Sequence, residues 1–311
     1  MIIDNSDAIT PAVLEAYDGI SHQRMREIVA ALIRHLHGFV REVRLSEQEF
    51  QQAAHLVARL AQQTTDSHNE VVLMAGSLGL STLVCLLNNG DGGATETQAN
   101  MLGPFWRDDQ PLVENGGTLL RSPTPGPPLS VRVRLQDPTG APIAGAEVDV
   151  WHSSPKGLYE NQDPEQAEMN LRGRFISDAE GRFSFTTVMP AGYPIPDEGP
   201  VGELLRMAGR HKFRPAHLHF MVYRPGFKTL ISQLYVGGDP HLESDVQFGV
   251  TRALIGDFVR REHAAGGEAY SLDQVFTLEA GEARRPRAPV CAKRAPPPDR
   301  RPAQISERLI E

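Results

Sequence analysis

The stretch "RPAHLHF", residues 214 to 220, sets Arg214, His217 and His219 inside an apolar run that continues through "MVY". Followed by the turn residues "RPG", the segment reads as an extended strand, in which side chains two apart share one face. His217 and His219 then point one way, and Leu218 and Phe220 the other. Two imidazoles side by side on a sheet are half of a metal site. The other half has to come from Asp, Glu, His, Cys or Tyr elsewhere in the chain. The cupin spacing, HExxH and CxxC are all absent, so the common His and Cys patterns do not complete it. Tyrosine offers a different answer. Of six in the chain, Tyr159 in "WHSSPKGLYE" and Tyr193 in "MPAGYPIPDEGP" stand where strand-like runs end in loops. A phenolate is a hard, strongly donating ligand, and a trivalent cation depresses its pKa far below the usual ~10. Two phenolates and two neutral imidazoles suit ferric iron better than zinc or calcium, because anionic oxygen stabilises the higher charge. His152 reads as a structural histidine, and His35, His37 and His55 as surface or partner-face residues.

The elements that must position these groups differ along the chain. Residues from about 11 to 89 read as helices. Ile28, Leu32, Leu36, Phe39 and Val43 recur at three- and four-residue steps as one apolar stripe, serving either the core or a partner. "SEQE", Ser46 to Glu49, is a capping box opening a second helix with Phe50, Val57 and Leu60 inward. A third helix is expected from near Asn69 to Leu87, stopping at "NNGDGG". Beyond it, short alternating runs separated by Pro and Gly predict a β-sandwich or barrel: "SVRVRL", "AEVDVW", "FSFTTV", "HLHFMVY" and "LISQLYV". "DPTG" and "DAEG" read as tight turns, and "GELLRMAGR" as one inserted helix. The fold class is therefore mixed, mainly β. Its expected domains are an N-terminal helical domain (1–100), a catalytic β-sandwich (101–280) and a Pro- and Arg-rich disordered tail (281–311).

At 311 residues, 40% hydrophobic and 23% charged, the chain has the composition of a soluble globular protein with a substantial core. Its formal net charge of −8 argues against a general nucleic-acid binder. Cys85 and Cys291 are far apart, which fits a reducing cytoplasm and no structural disulfide. "MIIDNSDAIT" lacks an apolar signal core, and no run approaches the ~20 apolar residues of a membrane span.

Taken together and in order, "LGPFW", "DVWHSSPKGLYE", "GRF", "DAEGRFSF", "YPIPDEGPVGELL", "RPAHLHFMV" and "LISQLYV" resemble the intradiol ring-cleavage dioxygenases, over residues from about 20 to 260. These are non-haem Fe(III) enzymes that open catechols between the two hydroxyls. The helical part, with "RHLHGFVREVRLSEQEF", is most similar to the hydroxyquinol 1,2-dioxygenase branch. The resemblance implies one Fe(III) per chain on Tyr159, Tyr193, His217 and His219, with Tyr193 the phenolate that leaves when substrate binds. It implies that Arg214 stabilises charge developing on the ring, and that Gln233 faces the site from the next strand, brought there by the Pro225-Gly226 turn. The substrate wall would comprise Leu73, Gly76, Met101, Leu102, Gly103, Pro104, Phe105, Ile195, Pro196 and Gln247. Hydroxyquinol enzymes carry an Asp at the place of Gly76 and an apolar residue at that of Gln247; here glycine is expected to leave space for a bulkier diol. Hydroxyquinol is the substrate implied first, catechol or a substituted catechol second. The family also implies a homodimer joined through the N-terminal helices, with a lipid at the interface. The competing classes are a non-catalytic transthyretin-like binding module and a zinc hydrolase built on His217 and His219.

Overall fold

In the computed structural model, which describes residues 2–89, 97–262 and 267–293, the chain divides into two compact units, Met1–Ala58 and Arg59–Glu311. The division falls well before the boundary near residue 100 expected from the sequence. The reason is that Leu73 and Met74, on the helices after it, belong to a core cluster with Trp106, Trp151 and Ile195 of the β region.

The first unit holds α1 (Ile9–Tyr17), α2 (Gln23–Val43) and most of α3 (Glu47–Gln63). Its helix ends are chemically specified. His22 caps α2 by accepting from Met25 N at 3.2 Å, and Arg44 closes it in the left-handed region at φ 51°. The capping box forms as expected, Ser46 N donating to Glu49 Oε2 at 2.8 Å and Glu49 N to Ser46 Oγ at 3.3 Å. Thr10 and His37 meet at 2.9 Å and tie α1 to α2. The apolar stripe does not form a core: Leu36 and Phe39 are 53% and 52% exposed, and Ile28, Leu32 and Val43 are comparable. Phe50 and Val57, expected inward, are 62% and 65% exposed. An apolar period predicts which residues share a face, and not what covers it.

In the second unit the expected third helix is two helices, α4 (Glu70–Ser77) and α5 (Leu80–Asn89), bent by 74°. Gly79 at φ 73° takes the left-handed conformation that ends α4, and its N–H bonds Gly76 O at 2.8 Å. Asn69 caps α4, accepting from Val72 N at 2.9 Å. The stop expected at "NNGDGG" lies mostly outside the described residues. Among the described residues, no single helix is long and apolar enough to cross a membrane.

The strands follow as β1 (Pro128–Gln136), β2 (Glu147–His152), β3 (Arg172–Ile176), β4 (Arg182–Val188) and β5 (Tyr193–Pro194). After α6 (Pro200–Met207), the expected inserted helix, come β6 (Phe213–Arg214), β7 (His217–Tyr223) and β8 (Leu230–Val236). The short β9 (Ile255–Gly256), β10 (Val259–Glu262) and β11 (Glu268–Thr277) complete them. A four-stranded sheet, β10-β11-β1-β4, and a five-stranded one, β3-β2-β7-β8-β9, enclose the core, while β5 and β6 pair apart. Leu129, Val131, Val133 and Leu135 of β1 alternate inward against Val148, Val150, Leu218, Phe220 and Val222. The other face of β2 and β7 is buried too, and there the candidate residues stand. This is the mixed, mainly β architecture expected.

Of residues 281–293, read from composition as the start of a disordered tail, most are exposed or half-exposed, but 288–292 are anchored. Cys291 N and Ala292 N donate to Asp66 O at 2.8 and 3.0 Å, Asn69 Nδ2 bonds Pro289 O, and Val290 is buried. Ala288 and Val290 bury apolar side chains that the surrounding Pro and Arg content masks. Residues 294–311 lie outside the described residues.

Candidate active site

β7 carries His217 and His219 on one face as the two-residue period requires, with their Nε2 atoms 3.0 Å apart. Leu218 and Phe220 go to the sandwich core. The Pro225-Gly226 turn closes a hairpin with Gly226 at φ 93°, and the register sets His219 opposite Gln233 and His217 opposite Tyr235. On the other side β2 sets Trp151 opposite His219, and the two rings stack at 4.5 Å and 9°.

Tyr159 arrives on the loop after β2 and Tyr193 on the short strand β5. Gly157, at φ 75°, turns the segment after β2, and a Cβ there would stand 3.0 Å from Gly192 O and 3.2 Å from Tyr193 Cβ. Only glycine lets the Tyr159 loop approach the Tyr193 segment that closely. Tyr159 Oη then lies 3.4 Å from Tyr193 Oη, 3.5 Å from His217 Nε2 and 3.1 Å from His219 Nε2. Four donor atoms from three stretches of chain thus converge in a buried space.

His217 Nδ1 is 2.7 Å from Pro215 O, which can only accept, so Nδ1 holds the proton and Nε2 offers its lone pair. Burial holds His217 neutral, its pKa lowered to about 3 with Arg214 adding to the effect. Burial, then His217 and Arg214, push His219 well below the usual range. Burial also raises the Tyr159 phenol well above its ordinary value, helped by Tyr193, and raises Tyr193 against the pull of Arg214. Among two neutral imidazoles the buried phenols stay protonated, the pull of Arg214 being too weak to offset burial. A hard, highly charged cation among them supplies the counter-charge that ionises the phenols, so the donor set fits ferric iron. Among the described residues no group of three or more His, Cys, Asp or Glu is arranged to hold a metal. His152 is not in this set: Nδ1 is 2.8 Å from Ser153 O and Nε2 2.7 Å from Thr187 Oγ1.

Arg214 pairs with Tyr193 across β6 and β5, and its Nη1 lies 3.5 Å from His217 Nε2. Its Nη2 donates to Gln233 Oε1 at 3.1 Å and Tyr235 Oη at 2.9 Å. Gln233 Nε2 in turn donates to Met101 O at 2.7 Å. Burial opposes the Arg214 charge, but Asp245, Tyr235 and Tyr193 outweigh it and keep the guanidinium protonated.

The candidate wall residues gather unevenly. Phe105 stacks on Tyr159 at 4.5 Å, and Leu73 and Ile195 share their cluster. Gly103, at φ 73°, comes close to His219, a Cβ there standing 3.5 Å from its Cε1. Met101, Leu102 and Gly103 line a cavity of about 610 Å³ whose far side is Arg287 to Cys291. Pro104 is buried, whereas Pro196 borders a separate cavity of about 220 Å³ with Phe105. Gly76 leaves no space, contrary to the sequence expectation: a Cβ there would lie 1.7 Å from Gln247 Oε1. A residue 171 positions away in sequence fills it, which helix periodicity does not reveal.

Sequence reasoning missed four contributors. Tyr235 sits two residues from Gln233, a spacing that carried the signal. Trp151 stacks on His219 from β2. Buried Arg172 donates to Glu160 at 2.7 Å, Phe105 O at 2.6 Å and Asn161 at 2.8 Å, bracing the Tyr159 loop against the wall. Asp245, in an irregular segment, gave no signal.

Residues 101–278 match the family model described as "Dioxygenase", and residues 22–95 the model described as "Catechol dioxygenase N terminus". The chain is 38% identical over 270 residues to 6-chlorohydroxyquinol 1,2-dioxygenase of Cupriavidus pinatubonensis, spanning 87% of this chain and 96% of that one. The crystal structure of hydroxyquinol 1,2-dioxygenase from Pseudomonas putida superposes with a TM-score of 0.78 at 36% identity, covering 89% of this chain and 99% of that one. Catechol 1,2-dioxygenase from Pseudomonas arvilla gives 0.79 at 30% identity, over 90% and 96% of the two chains. With the fold, these matches place the chain in the intradiol ring-cleavage dioxygenase family.

Proposed function

We propose that this enzyme uses one non-haem Fe(III) per chain to cleave hydroxyquinol, 1,2,4-trihydroxybenzene, between its vicinal hydroxyls. Both atoms of O2 enter the product, 3-hydroxy-cis,cis-muconate, the tautomer of maleylacetate. The observation that carries this reading is the convergence of Tyr159, Tyr193, His217 and His219, with neighbouring donor atoms 3.0 to 3.5 Å apart. These four residues would hold the iron, which when bound activates the diol toward O2. Ionised to a phenolate when the cation is held, Tyr193 would accept a proton from the incoming diol at Oη. Trp151 fixes the His219 ring plane, and Phe105 fixes that of Tyr159. Arg214 presents a fixed positive charge where negative charge grows on the ring, worth most in a buried site. Gln233 couples Arg214 to the wall by bonding both Arg214 and Met101 O.

Catechol, giving cis,cis-muconate, is the second reading, supported by the likeness to the Pseudomonas arvilla enzyme. The half-exposed α2 stripe supports a homodimer through the N-terminal helices, with a lipid chain as further cover. The two free cysteines support a reducing, cytoplasmic setting. The test is direct: purified protein carries ferric iron, shows a phenolate-to-iron visible band and converts hydroxyquinol to the ring-opened acid with O2 uptake. Colourless protein that neither holds iron nor consumes O2 with any diol refutes the reading and favours a binding module.

A further inference from the structure

His217 and His219 are held by different means. His217 Nδ1 is anchored on Pro215 O at 2.7 Å. His219 Nδ1 has no partner among the described residues, and it is sealed from solvent. A metal-ligating imidazole ordinarily donates its other N–H to a carboxylate, carbonyl or water, which fixes its tautomer and ring orientation. His219 lacks that restraint. What it has is Trp151, directly across from it in the β2–β7 register, with the two rings nearly parallel at 4.5 Å and 9°. Trp151 is wholly buried, and its Nε1 is likewise sealed without an acceptor. The other tryptophan, Trp106, donates Nε1 to Asp149 Oδ2 at 3.1 Å, as a buried indole ordinarily does. Trp151 thus forgoes a hydrogen bond, at a desolvation cost, and meets His219 with its face alone.

We propose that the Trp151 face takes the place of the missing hydrogen bond: Trp151 is the positioning residue that aims His219 Nε2 at His217 Nε2 and Tyr159 Oη, 3.0 and 3.1 Å away. The inference rests on the ferric reading of the site and adds an asymmetry to it. His217 is aimed by the backbone, His219 by an aromatic ring. Metal retention at His219 therefore depends on a flat side chain at position 151, and not on a hydrogen-bonding one.

The test compares wild type with Trp151→Phe, which keeps a ring, and with Trp151→Leu and Trp151→Met, which remove it, Met filling more of the space. Phe220→Leu, on the opposite face of β7, controls for lost packing alone. Each protein is loaded with Fe(III), and release of iron to an excess of ferric chelator is timed beside the melting temperature and the EPR spectrum. Trp151→Leu and Trp151→Met are expected to release iron at least about tenfold faster than wild type, as loss of a ligand's outer support predicts. Their EPR spectra should spread from one ferric species into several. Trp151→Phe is expected to stay within about threefold of wild type. Phe220→Leu is expected to melt lower with unchanged release. Release as slow as wild type in the Leu and Met variants, or release that simply follows the melting temperature across all variants, overturns the proposal. A wild type that takes up no Fe(III) overturns the ferric reading and the proposal together, so the two failures are told apart by wild type alone.

Discussion

Arg214 and Asp245 form a buried bidentate ion pair, Nε to Oδ1 at 3.0 Å and Nη2 to Oδ2 at 3.0 Å. Asp245 also accepts from Gln247 N and Gly249 N. Burial opposes its ionisation, but Arg214 and these amides outweigh it and lower its pKa. Its contribution is therefore present above the ordinary carboxylate range and lost as pH falls through the lowered value. Asp245→Asn leaves a buried arginine without its counter-charge, a change of about 3–5 kcal/mol in comparable sites. The expected outcome is a lower melting temperature and a kcat reduced toward that of Arg214→Ala.

Arg214→Ala itself should lower kcat roughly 10²-fold or more while iron content stays normal, if the guanidinium stabilises transition-state charge. Stopped-flow and steady-state kinetics separate the alternatives. An unchanged kcat with a raised KM would make Arg214 a substrate-positioning residue.

Tyr159→Phe removes one phenolate oxygen, and His219→Ala one imidazole. Each should weaken or bleach the visible band and reduce bound iron, measured by elemental analysis. Full colour and activity in both would refute the ligand assignment.

His152 gives a pH prediction away from the reacting atoms. Burial lowers its pKa from 6.5 to about 4, so between those values the unfolded chain binds a proton that the folded chain does not. Stability then rises with pH across that window and levels off above it, by about 3 kcal/mol in total. His152→Gln removes this titration. Its urea midpoint should fall less than that of wild type between pH 7 and pH 5, and equal losses would show that other groups dominate.

Leu36 and Phe39, about half exposed on α2, test the assembly. Leu36→Glu combined with Phe39→Glu should convert a dimer into a monomer in analytical ultracentrifugation, with ring cleavage persisting. An unchanged sedimentation coefficient would remove this face from the interface, and mass spectrometry of a solvent extract checks for lipid.

The sequence by itself determined what depends on neighbours along the chain. Period two put His217 and His219 on one face, Pro225-Gly226 set the hairpin that brings Gln233 opposite His219, and Ser46 with Glu49 started a helix. Ordered motifs sufficed to name the family. Tertiary structure alone decided which surfaces meet and what fills the gaps between them. α4 ends at Gly79 because one left-handed residue outweighs an otherwise continuous apolar pattern. Val290 is buried beside a segment whose composition reads as disorder. Asp245 reaches Arg214 from an irregular stretch with no period to announce it, and Gln247 fills the space beside Gly76 from far along the chain. Periodicity encodes the direction of a side chain, whereas its partner is set by long-range packing, where volume and charge must be satisfied by whatever the fold brings near.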